Sequence, residues 1–170
     1  MDKLIRAAKN GNEAAFTELI KLHTQSMYKA SRAILHHDED VADAISETVL
    51  TCWEKIKQLK SDKYFKTWLM RILINKSNDI FRKRESLFFA SEMPEIAIND
   101  NNLMNIEWRE ILNSLNEKYR IVIMLYYVEG FKTSEISQIL ETPESMVRTR
   151  LARGREQLED VYGKKRRKTV

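Results

Sequence analysis

The sequence predicts an all-α fold of two small helical domains joined by an acidic flexible linker, the C-terminal domain being a helix-turn-helix. Only four Gly and two Pro occur among the 170 residues, too few for a fold with many tight turns. Apolar residues recur every three or four positions along most of the chain, which is the spacing of a buried helical face. Hydrophobic residues make up 43% of the chain and charged residues 32%, which suits packed cores beneath a highly charged surface.

The first two predicted helices span residues 12–35 and about 38–56, and the polar run 36–40 separates their apolar patterns. Cys52, the only cysteine, lies in the apolar stripe of the second helix. We therefore expect a buried, unreactive thiol and no disulfide. The stripe of this helix consists of Val41, Ile45, Val49, Cys52, Trp53 and Ile56.

The second helix also carries an acidic face. Six acidic residues and no Lys or Arg occur between residues 38 and 54, namely Asp38, Glu39, Asp40, Asp43, Glu47 and Glu54. Because no basic residue lies among them, we expect this face to have no partner within the molecule. Such a surface suits docking on a basic surface of another protein.

A third helix is predicted over residues 65–84, and it is basic. Its apolar stripe consists of Phe65, Trp68, Leu69, Ile72, Leu73 and Ile80. A polar row at spacings of three or four lies on a neighbouring face and consists of Arg71, Asn75, Asp79 and Arg82. Trp68 belongs to the stripe, so we expect it in the core rather than as an exposed stacking platform.

A linker separates the two predicted domains. Residues 85–107 contain no Lys or Arg, include Pro94, and show no sustained hydrophobic period. The apolar run 87–89 (Leu, Phe, Phe) is expected to dock on a domain, or on a partner if it stays exposed. The predicted organisation is a first domain at 1–85, a linker at 86–104, a second domain at 105–163 and a basic tail at 164–170.

The second domain begins with two predicted helices, near 105–115 and 119–127, and Gly130 is placed to cap the second one. Thr133 is the predicted N-cap of a helix over 134–140. A turn at 141–143 then leads into a last helix from Glu144, which is expected to bury Val147, Leu151 and Leu158.

Two short helices joined by a three-residue turn are typical of a motif that places its second helix in the major groove of DNA. The segment 148–155 holds four Arg and no acidic residue, unlike a solvated helical face of mixed charge. Arg can bind guanine edges with two hydrogen bonds or clamp phosphates. Ser145, Arg148 and Thr149 are candidates for base edges. Arg150, Arg153 and Arg155 are candidates for phosphate contacts or intramolecular pairs.

Three segments in this order resemble the bacterial extracytoplasmic-function sigma factors, group 4 of the sigma-70 family. They are DVADAISETVLTCWEKI at 40–56, FKTWLMRILIN at 65–75 with Asp79 and Arg82, and EISQILETPESMVRTR at 135–150. The resemblance covers nearly the whole chain. It implies a transcription initiation subunit with two promoter-binding domains, sigma region 2 at 1–85 and region 4 at 105–163, and with no catalysis or cofactor of its own.

The resemblance also implies binding roles for individual residues. On the acidic helix, the residues expected to bind the β′ clamp coiled coil of RNA polymerase core are Asp40, Asp43, Glu47 and Trp53. The residues expected to contact the minus-10 element are Lys66, Arg71, Asn75, Asp79, Arg82, Lys83 and Arg84. The loop 61–64 is a candidate pocket for a flipped base. The residues expected to contact the minus-35 element are Ser145, Met146, Arg148, Thr149, Arg150 and Arg153.

Two positions depart from the family pattern. Glu141 stands where the turn of the helix-turn-helix usually has Gly, and a positive φ there would cost about 1 kcal/mol or more. Ser145 and Met146 replace a common Gly-Thr pair before Val147. The first departure bears on the turn geometry, and the second implies a minus-35 preference that relatives do not supply.

Partners and location follow from the family as expectations. Its members commonly answer to an anti-sigma factor, often a membrane protein, and serve stress or envelope responses. The chain has no leading apolar segment and no apolar run near the roughly 18 residues of a membrane span. We therefore expect a cytoplasmic protein without direct membrane insertion, held at the membrane only through an anti-sigma factor.

Other functions have weaker support in the sequence. A stand-alone regulator would use the helix-turn-helix alone, with the first domain for dimerisation or sensing. An RNA-binding or adaptor protein is a third reading. His23, His36 and His37 lack a convergent ligand set, and no phosphate loop or activated nucleophile is present, so we expect no metal site and no enzyme. The tail at 164–168 either adds phosphate affinity or is disordered, and disorder is favoured.

Overall fold

The computed structural model describes residues 1–88 and 112–168, with side chains at 1–87 and 112–161. Within these residues the secondary structure is helical and contains no strand. The α-helices are α1 (Asp2–Lys9), α2 (Glu13–Arg32), α3 (Asp38–Lys55), α4 (Phe65–Phe88), α5 (Glu117–Ile123), α6 (Thr133–Ile139) and α7 (Glu144–Lys168). The all-α prediction is therefore confirmed.

The first domain packs α1, α2, α3 and α4 around one apolar core. The side chain of Asn12 caps α2 by accepting a hydrogen bond from the Ala15 amide at 2.9 Å. The buried residues at the centre are those that the predicted stripes point inward, among them Leu19, Met27, Val41, Cys52, Phe65, Leu69 and Leu73. The helical spacing in the sequence thus places the core correctly.

Helix α1 is an addition to the predicted elements. It buries Ile5 and Ala8 against the rest of the domain and is followed by Gly11, whose φ of +88° lets the chain turn into α2. Its last turn also holds the loop before α4, because Lys9 Nζ lies 2.5 Å from Asp62 Oδ1. Helix α1 thereby fixes one side of that loop.

The second domain packs α5, α6 and α7. Helix α5 continues through a π-helical turn at Met124–Val128 and ends before Gly130, which has a φ of +73°. This confirms Gly130 as the end of the helix. Helix α7 crosses α5 closely at Gly154, where a Cβ would meet Ile123 Cγ1 at 2.9 Å. The predicted helix near 105–115 lies mostly outside the described residues.

The expectation for the end of the chain needs correction. The 164–168 segment continues α7 to Lys168, so the expectation of a disordered tail is wrong: Gly163 alone, at about 1 kcal/mol, does not end the helix. Helix α4 runs three residues beyond the predicted domain end, to Phe88, and Leu87 on it is 67% exposed. Phe89 and residues 90–111 lie outside the described part of the chain. Leu22, which falls in the apolar pattern of α2, is 56% exposed.

Candidate nucleic-acid interface

Helix α4 presents the predicted polar row to the surface. Arg71, Asn75, Asp79, Arg82 and Lys83 are exposed, while Lys66 and Arg84 are half-buried. Arg82 donates from Nη2 to Asp79 Oδ1 at 3.3 Å, one turn apart. The face thus combines cations with an exposed amide and a carboxylate, the groups that can hold a backbone and reach base edges.

Trp68 does not belong to that exposed row. It is half-buried, packs against the core, and its ring centroid lies 6.0 Å from that of Phe65. An exposed aromatic ring occurs instead at Tyr64, at the end of the loop 61–64, where 47% of the residue is accessible. Lys63 Nζ lies 5.6 Å from the centre of this ring. Aromatic exposure next to a cation is the pairing that single-stranded bases stack on.

The acidic face of α3 has partners inside the molecule, contrary to the expectation from sequence. Arg84 forms a hydrogen-bonded ion pair with Asp40, and Lys76 Nζ lies 3.1 Å from Glu47 Oε2. These pairs form because α3 and α4 pack antiparallel, so that the start of α3 faces the basic end of α4. Asp43 remains exposed, without a partner among the described residues.

Trp53 lies at the edge of the same helix. It is half-buried, and its ring centroid lies 4.9 Å from that of Phe16. One side of the indole therefore completes the core while the other side stays accessible. Neighbouring Cys52 is fully buried, and burial raises the pKa of its thiol to about 12, which confirms the predicted unreactive cysteine.

The amino-terminal half of α7 carries the second candidate face. Val147 and Leu151 are buried, while Ser145, Met146, Arg148, Thr149 and Arg153 are exposed and Arg150 is half-buried. Leu158 packs against the core, also as predicted. This separation of faces is the geometry that a recognition helix needs, with one side on the domain and the other free for a groove.

Glu144 organises the start of α7. Its Oε1 accepts from Thr133 Oγ1 at 2.6 Å and from Arg148 Nη2 at 2.7 Å. The hydrogen bond from Thr133, followed by the one from Arg148, lowers the pKa of Glu144 below its ordinary value. The expected N-cap role of Thr133 is thus replaced, since the N-cap of α6 is Lys132 and the Thr133 hydroxyl ties α6 to α7.

Glu141 adopts the conformation that the turn requires of Gly. Its φ is +49°, the only positive φ at a non-Gly position among the described residues. The turn of the helix-turn-helix therefore keeps its geometry at a cost in backbone strain.

The two domains also touch each other along α4. Lys66 Nζ donates to the carbonyl oxygen of Glu129 at 2.9 Å, lies 3.4 Å from Glu129 Oε2, and lies 4.6 Å from the centre of the Phe131 ring. Arg71 donates from Nε and Nη2 to Glu141 Oε1 at 2.8 and 2.5 Å. Two predicted minus-10 residues thus face the helix-turn-helix domain, a contact that the sequence pattern did not predict.

Arg120 is a further residue that sequence reasoning missed. It is 7% exposed, and its guanidinium donates to the carbonyl oxygens of Leu112, Asn113 and Leu115. A longer bond of 3.5 Å reaches the carbonyl of Ala33 in the first domain. A basic residue at the fourth position of a seven-residue helix gives no sign in sequence that it will be buried.

The part of the chain described by the structure contains no group of three or more His, Cys, Asp or Glu that could hold a metal ion. None of its helices is long and apolar enough to cross a membrane.

Two protein-family models match this chain. The model for sigma-70 region 2 matches residues 19–86, and the model for sigma-70 region 4 matches residues 106–158. The extracytoplasmic-function sigma factor SigW of Bacillus subtilis is 30% identical over 175 residues, covering 92% of this chain and 93% of SigW.

Two solved structures of sigma factors are similar to this chain. CnrH, a sigma factor of Cupriavidus metallidurans, in complex with the cytosolic domain of CnrY, matches with a TM-score of 0.71 and 25% identity, over 94% of this chain and 95% of CnrH. The sigma factor RpoE of Bartonella quintana, in complex with the anti-sigma factor NepR, shares the fold with a TM-score of 0.75 and 20% identity, over 87% of this chain and 96% of that one. The chain therefore belongs to the extracytoplasmic-function group of the sigma-70 family, and it is an alternative RNA polymerase sigma factor for promoter recognition and transcription initiation.

Proposed function

We propose that this sigma factor contacts its promoter with two separate helical faces, α7 at the minus-35 element and α4 at the minus-10 element. The observation that carries the proposal is the presence of an exposed, cation-bearing polar face on each domain, opposite a buried apolar face of the same helix. We assign region 2 to residues 1–85 and region 4 to 105–163, joined by the linker 86–104.

At the minus-35 element, the start of α7 enters the major groove. Ser145, Met146, Arg148 and Thr149 supply base-edge contacts, and Arg150 and Arg153 supply phosphate contacts. The bond between Arg148 and Glu144 supports this division, because it holds the guanidinium over the first turn of the helix before DNA arrives. Pre-positioning reduces the entropy lost on binding.

At the minus-10 element, α4 and the loop before it hold the opened strand. Asn75 and Asp79 contact bases, and the neighbouring cations Lys66, Arg71, Arg82, Lys83 and Arg84 hold phosphates. Tyr64 supplies the stacking surface, supported by its exposure and by the cation beside its ring.

RNA polymerase core binds the acidic face of α3 through Asp40, Asp43, Glu47 and Trp53. Asp43 is exposed and unpaired among the described residues, so a basic group of the polymerase can bind it without displacing another side chain. Asp40 and Glu47 exchange their bonds with Arg84 and Lys76 for bonds to the β′ clamp coiled coil, or share them. Because such an exchange conserves ion pairs, it costs less than desolvating free carboxylates.

An anti-sigma factor is the proposed regulatory partner. CnrH, which is 25% identical in structure-based comparison, was solved with the cytosolic domain of CnrY. We extend this kind of partner to the present chain, with retention at a membrane and control of a stress or envelope response as further parts of the same proposal.

Reconstituted transcription tests the proposal. Purified chain and core polymerase are incubated with a fragmented genomic library, and transcript starts are sequenced. We expect starts downstream of a shared two-part motif. A stand-alone regulator would instead select palindromic sites without directing core polymerase to any start, and this result would exclude the sigma-factor assignment of the two faces.

Two variants separate the faces. Asn75→Ala is expected to retain binding to upstream duplex and to lose promoter opening, read as permanganate reactivity of the minus-10 thymines. Arg148→Ala is expected to weaken upstream duplex binding by about 1 to 3 kcal/mol with altered preference at one base pair. Asn113→Ala and Lys118→Ala, at exposed positions of the second domain, are the matched controls. Equal loss of both activities in either variant would contradict the division of labour.

A further inference from the structure

The contact between the two domains covers part of the proposed minus-10 face. We propose that the free protein is closed, with the acidic edge of the helix-turn-helix domain (Glu129, Glu135 and Glu141) bound to the start of α4 in place of promoter phosphates. Closure as such is independent of the proposed function, whereas its effect on the minus-10 element rests on that function.

Lys66 is the centre of the contact. Its ammonium is held at once by a carbonyl oxygen, a carboxylate and an aromatic ring of the second domain. The side chain of Glu129 is only 4% exposed, so this ion pair is sealed from water on the acidic side. Lys66 itself keeps 38% of its side chain accessible, but its ammonium is occupied by these three groups, so a phosphate has to displace them to bind it.

Two further contacts extend the edge along α4. Thr67 Oγ1 donates to Glu135 Oε1 at 3.3 Å, and Arg71 gives two hydrogen bonds to Glu141. Lys66, Thr67 and Arg71 follow one face of the first two turns of the helix. The acidic edge therefore binds two of the cations, Lys66 and Arg71, that the proposed function assigns to promoter phosphates.

Glu141 connects closure to the turn of the helix-turn-helix. The same residue that bears the positive φ supplies the carboxylate for Arg71. A Gly at this position would fit the turn without strain, but it would offer no carboxylate to α4. The departure at Glu141 thus gains a specific role in the contact between domains.

Closure treats the two promoter elements differently. The start of α7 stays open in the closed protein, since Ser145, Met146, Arg148 and Thr149 are exposed. Farther along α4, Asn75, Asp79 and Arg82 are exposed as well. The closed state therefore leaves the minus-35 face available, whereas Lys66 and Arg71, the first two cations of the minus-10 face, are paired with carboxylates of the second domain.

The test uses the full chain with matched triple variants. The opening variant is Glu129→Gln, Glu135→Gln and Glu141→Gln, in which Gln at 135 keeps an oxygen for the backbone amide of Lys132. The control is Glu156→Gln, Glu159→Gln and Asp160→Asn, at three exposed positions of α7. Both raise the net charge of the same domain equally, so the comparison removes the general electrostatic gain in DNA affinity.

The first readout is the distance between the domains. Spin labels are attached at Glu54→Cys on α3 and Gln138→Cys on α6, both exposed, in a Cys52→Ala background, and measured by double electron-electron resonance. We expect one short, narrow distance population for the wild type and the control, and a longer, broader one for the opening variant. An unchanged distribution in the opening variant, or a broad one in the wild type, would overturn closure.

The second readout is binding of a random-sequence single-stranded DNA pool, relative to a random duplex. If about a tenth of the free chain is open, the opening variant gains about tenfold in single-strand affinity over the control. Equal affinities in an opened protein would overturn the masking of α4.

A charge exchange between Arg71 and Glu141 distinguishes loss of the contact between domains from misfolding of a variant. Arg71→Glu alone is expected to open the protein, and Arg71→Glu with Glu141→Arg is expected to close it again. The distance between the spin labels is the readout for both variants, and it involves neither DNA nor polymerase. The closure proposal can therefore fail while reconstituted transcription succeeds, and reconstituted transcription can fail while closure is observed.

Discussion

At the residue scale, Glu141 shows how one side chain bears two opposing demands. Its φ of +49° belongs to the left-handed region, where a residue with a Cβ is strained. Its carboxylate meets Arg71 across the domain contact, and both side chains are about half exposed, at 52% and 51%. An ion pair exposed to this degree contributes about 1 kcal/mol or less. The backbone strain at Glu141 and the energy of its ion pair with Arg71 are therefore of similar magnitude.

Glu141→Gly is expected to stabilise the second domain by about 0.5 to 1 kcal/mol, because Gly adopts the positive φ without strain. The same change removes the partner of Arg71 and is expected to weaken closure. Urea unfolding of the second domain measures the first effect, and the distance between domains measures the second. Glu141→Ala is the matched control, since it removes the carboxylate and keeps the strain. A destabilised Gly variant would mean that the φ is not the dominant cost.

His23 is a second residue whose surroundings set its behaviour. It is 7% exposed, its Nε2 has no hydrogen-bond partner among the residues that the structure describes, and its ring centroid lies 5.5 Å from that of Phe65. Burial, and next the charge of Lys66, lower its pKa below the ordinary 6.5, while Glu129 acts in the opposite direction. The folded protein therefore favours neutral imidazole.

Stability is accordingly expected to fall on acidification. Below pH 6.5 the unfolded chain binds a proton at His23 that the folded chain resists, so the free energy of unfolding decreases as the pH falls from 6.5 toward the lowered pKa. His23→Leu, which cannot titrate and leaves no unpaired nitrogen, should flatten this part of the profile. Urea unfolding at several pH values between neutral and mildly acidic measures the difference. Parallel profiles for the two proteins would show that His23 does not contribute.

At the element scale, the crossing of α5 and α7 depends on Gly154. A Cβ there would lie 2.9 Å from Ile123 Cγ1, 3.1 Å from Ile123 Cδ1 and 3.5 Å from Tyr119 Cβ. Since Ile123 is fully buried, its side chain has little room to move away. The glycine therefore sets how closely the recognition helix approaches its support.

Gly154→Val is expected to destabilise the second domain by about 1 to 3 kcal/mol through overpacking. Glu156→Val places the same side chain on an exposed face of α7, where only a helix-propensity cost of about 0.5 kcal/mol is expected. Thermal unfolding of both variants gives the comparison. Similar small losses in the two would show that α7 can shift on α5 without cost.

Element identities could be predicted well from sequence, because each core helix shows a regular apolar spacing. The stripe through Val41 and Cys52 and the one through Leu69 and Leu73 are buried as predicted. Helix α1 escaped prediction because eight residues give barely two turns of pattern. The expectation of disorder at 164–168 is wrong for another reason: it rests on charge density, whereas α7 continues through this segment to Lys168.

The candidate site could be predicted in part. Helical periodicity placed Asn75, Asp79 and Arg148 on exposed faces, since the buried stripe dictates which positions point outward. Periodicity gives no information on which exposed face meets another. The pairing of Asp40 with Arg84 and the seating of Lys66 against Glu129 depend on how separate elements pack, so local pattern could not reveal them.

At the scale of the whole molecule, the two domains form one closed unit through a contact that is polar at α4 and partly buried at Lys66. Interfaces of this mixed character are typical of domains that move relative to each other. The proposed closed and open states differ in whether Lys66 and Arg71 hold carboxylates or phosphates. Any partner that prefers the open state shifts the balance only by its difference in affinity for the two states.

A covalent cross-link between the two domains tests whether they must separate before the promoter can open. Thr67→Cys and Glu135→Cys, at residues whose side chains are 3.3 Å apart, are linked with a short reducible bismaleimide in the Cys52→Ala background. Linked protein is expected to keep its affinity for upstream duplex, because the start of α7 stays exposed, and to lose promoter opening with core polymerase. Cleavage of the linker should restore opening. Each single-cysteine variant, treated with the reagent, controls for modification and for loss of the Glu135 cap. Full promoter opening by the linked protein would contradict the requirement for domain separation.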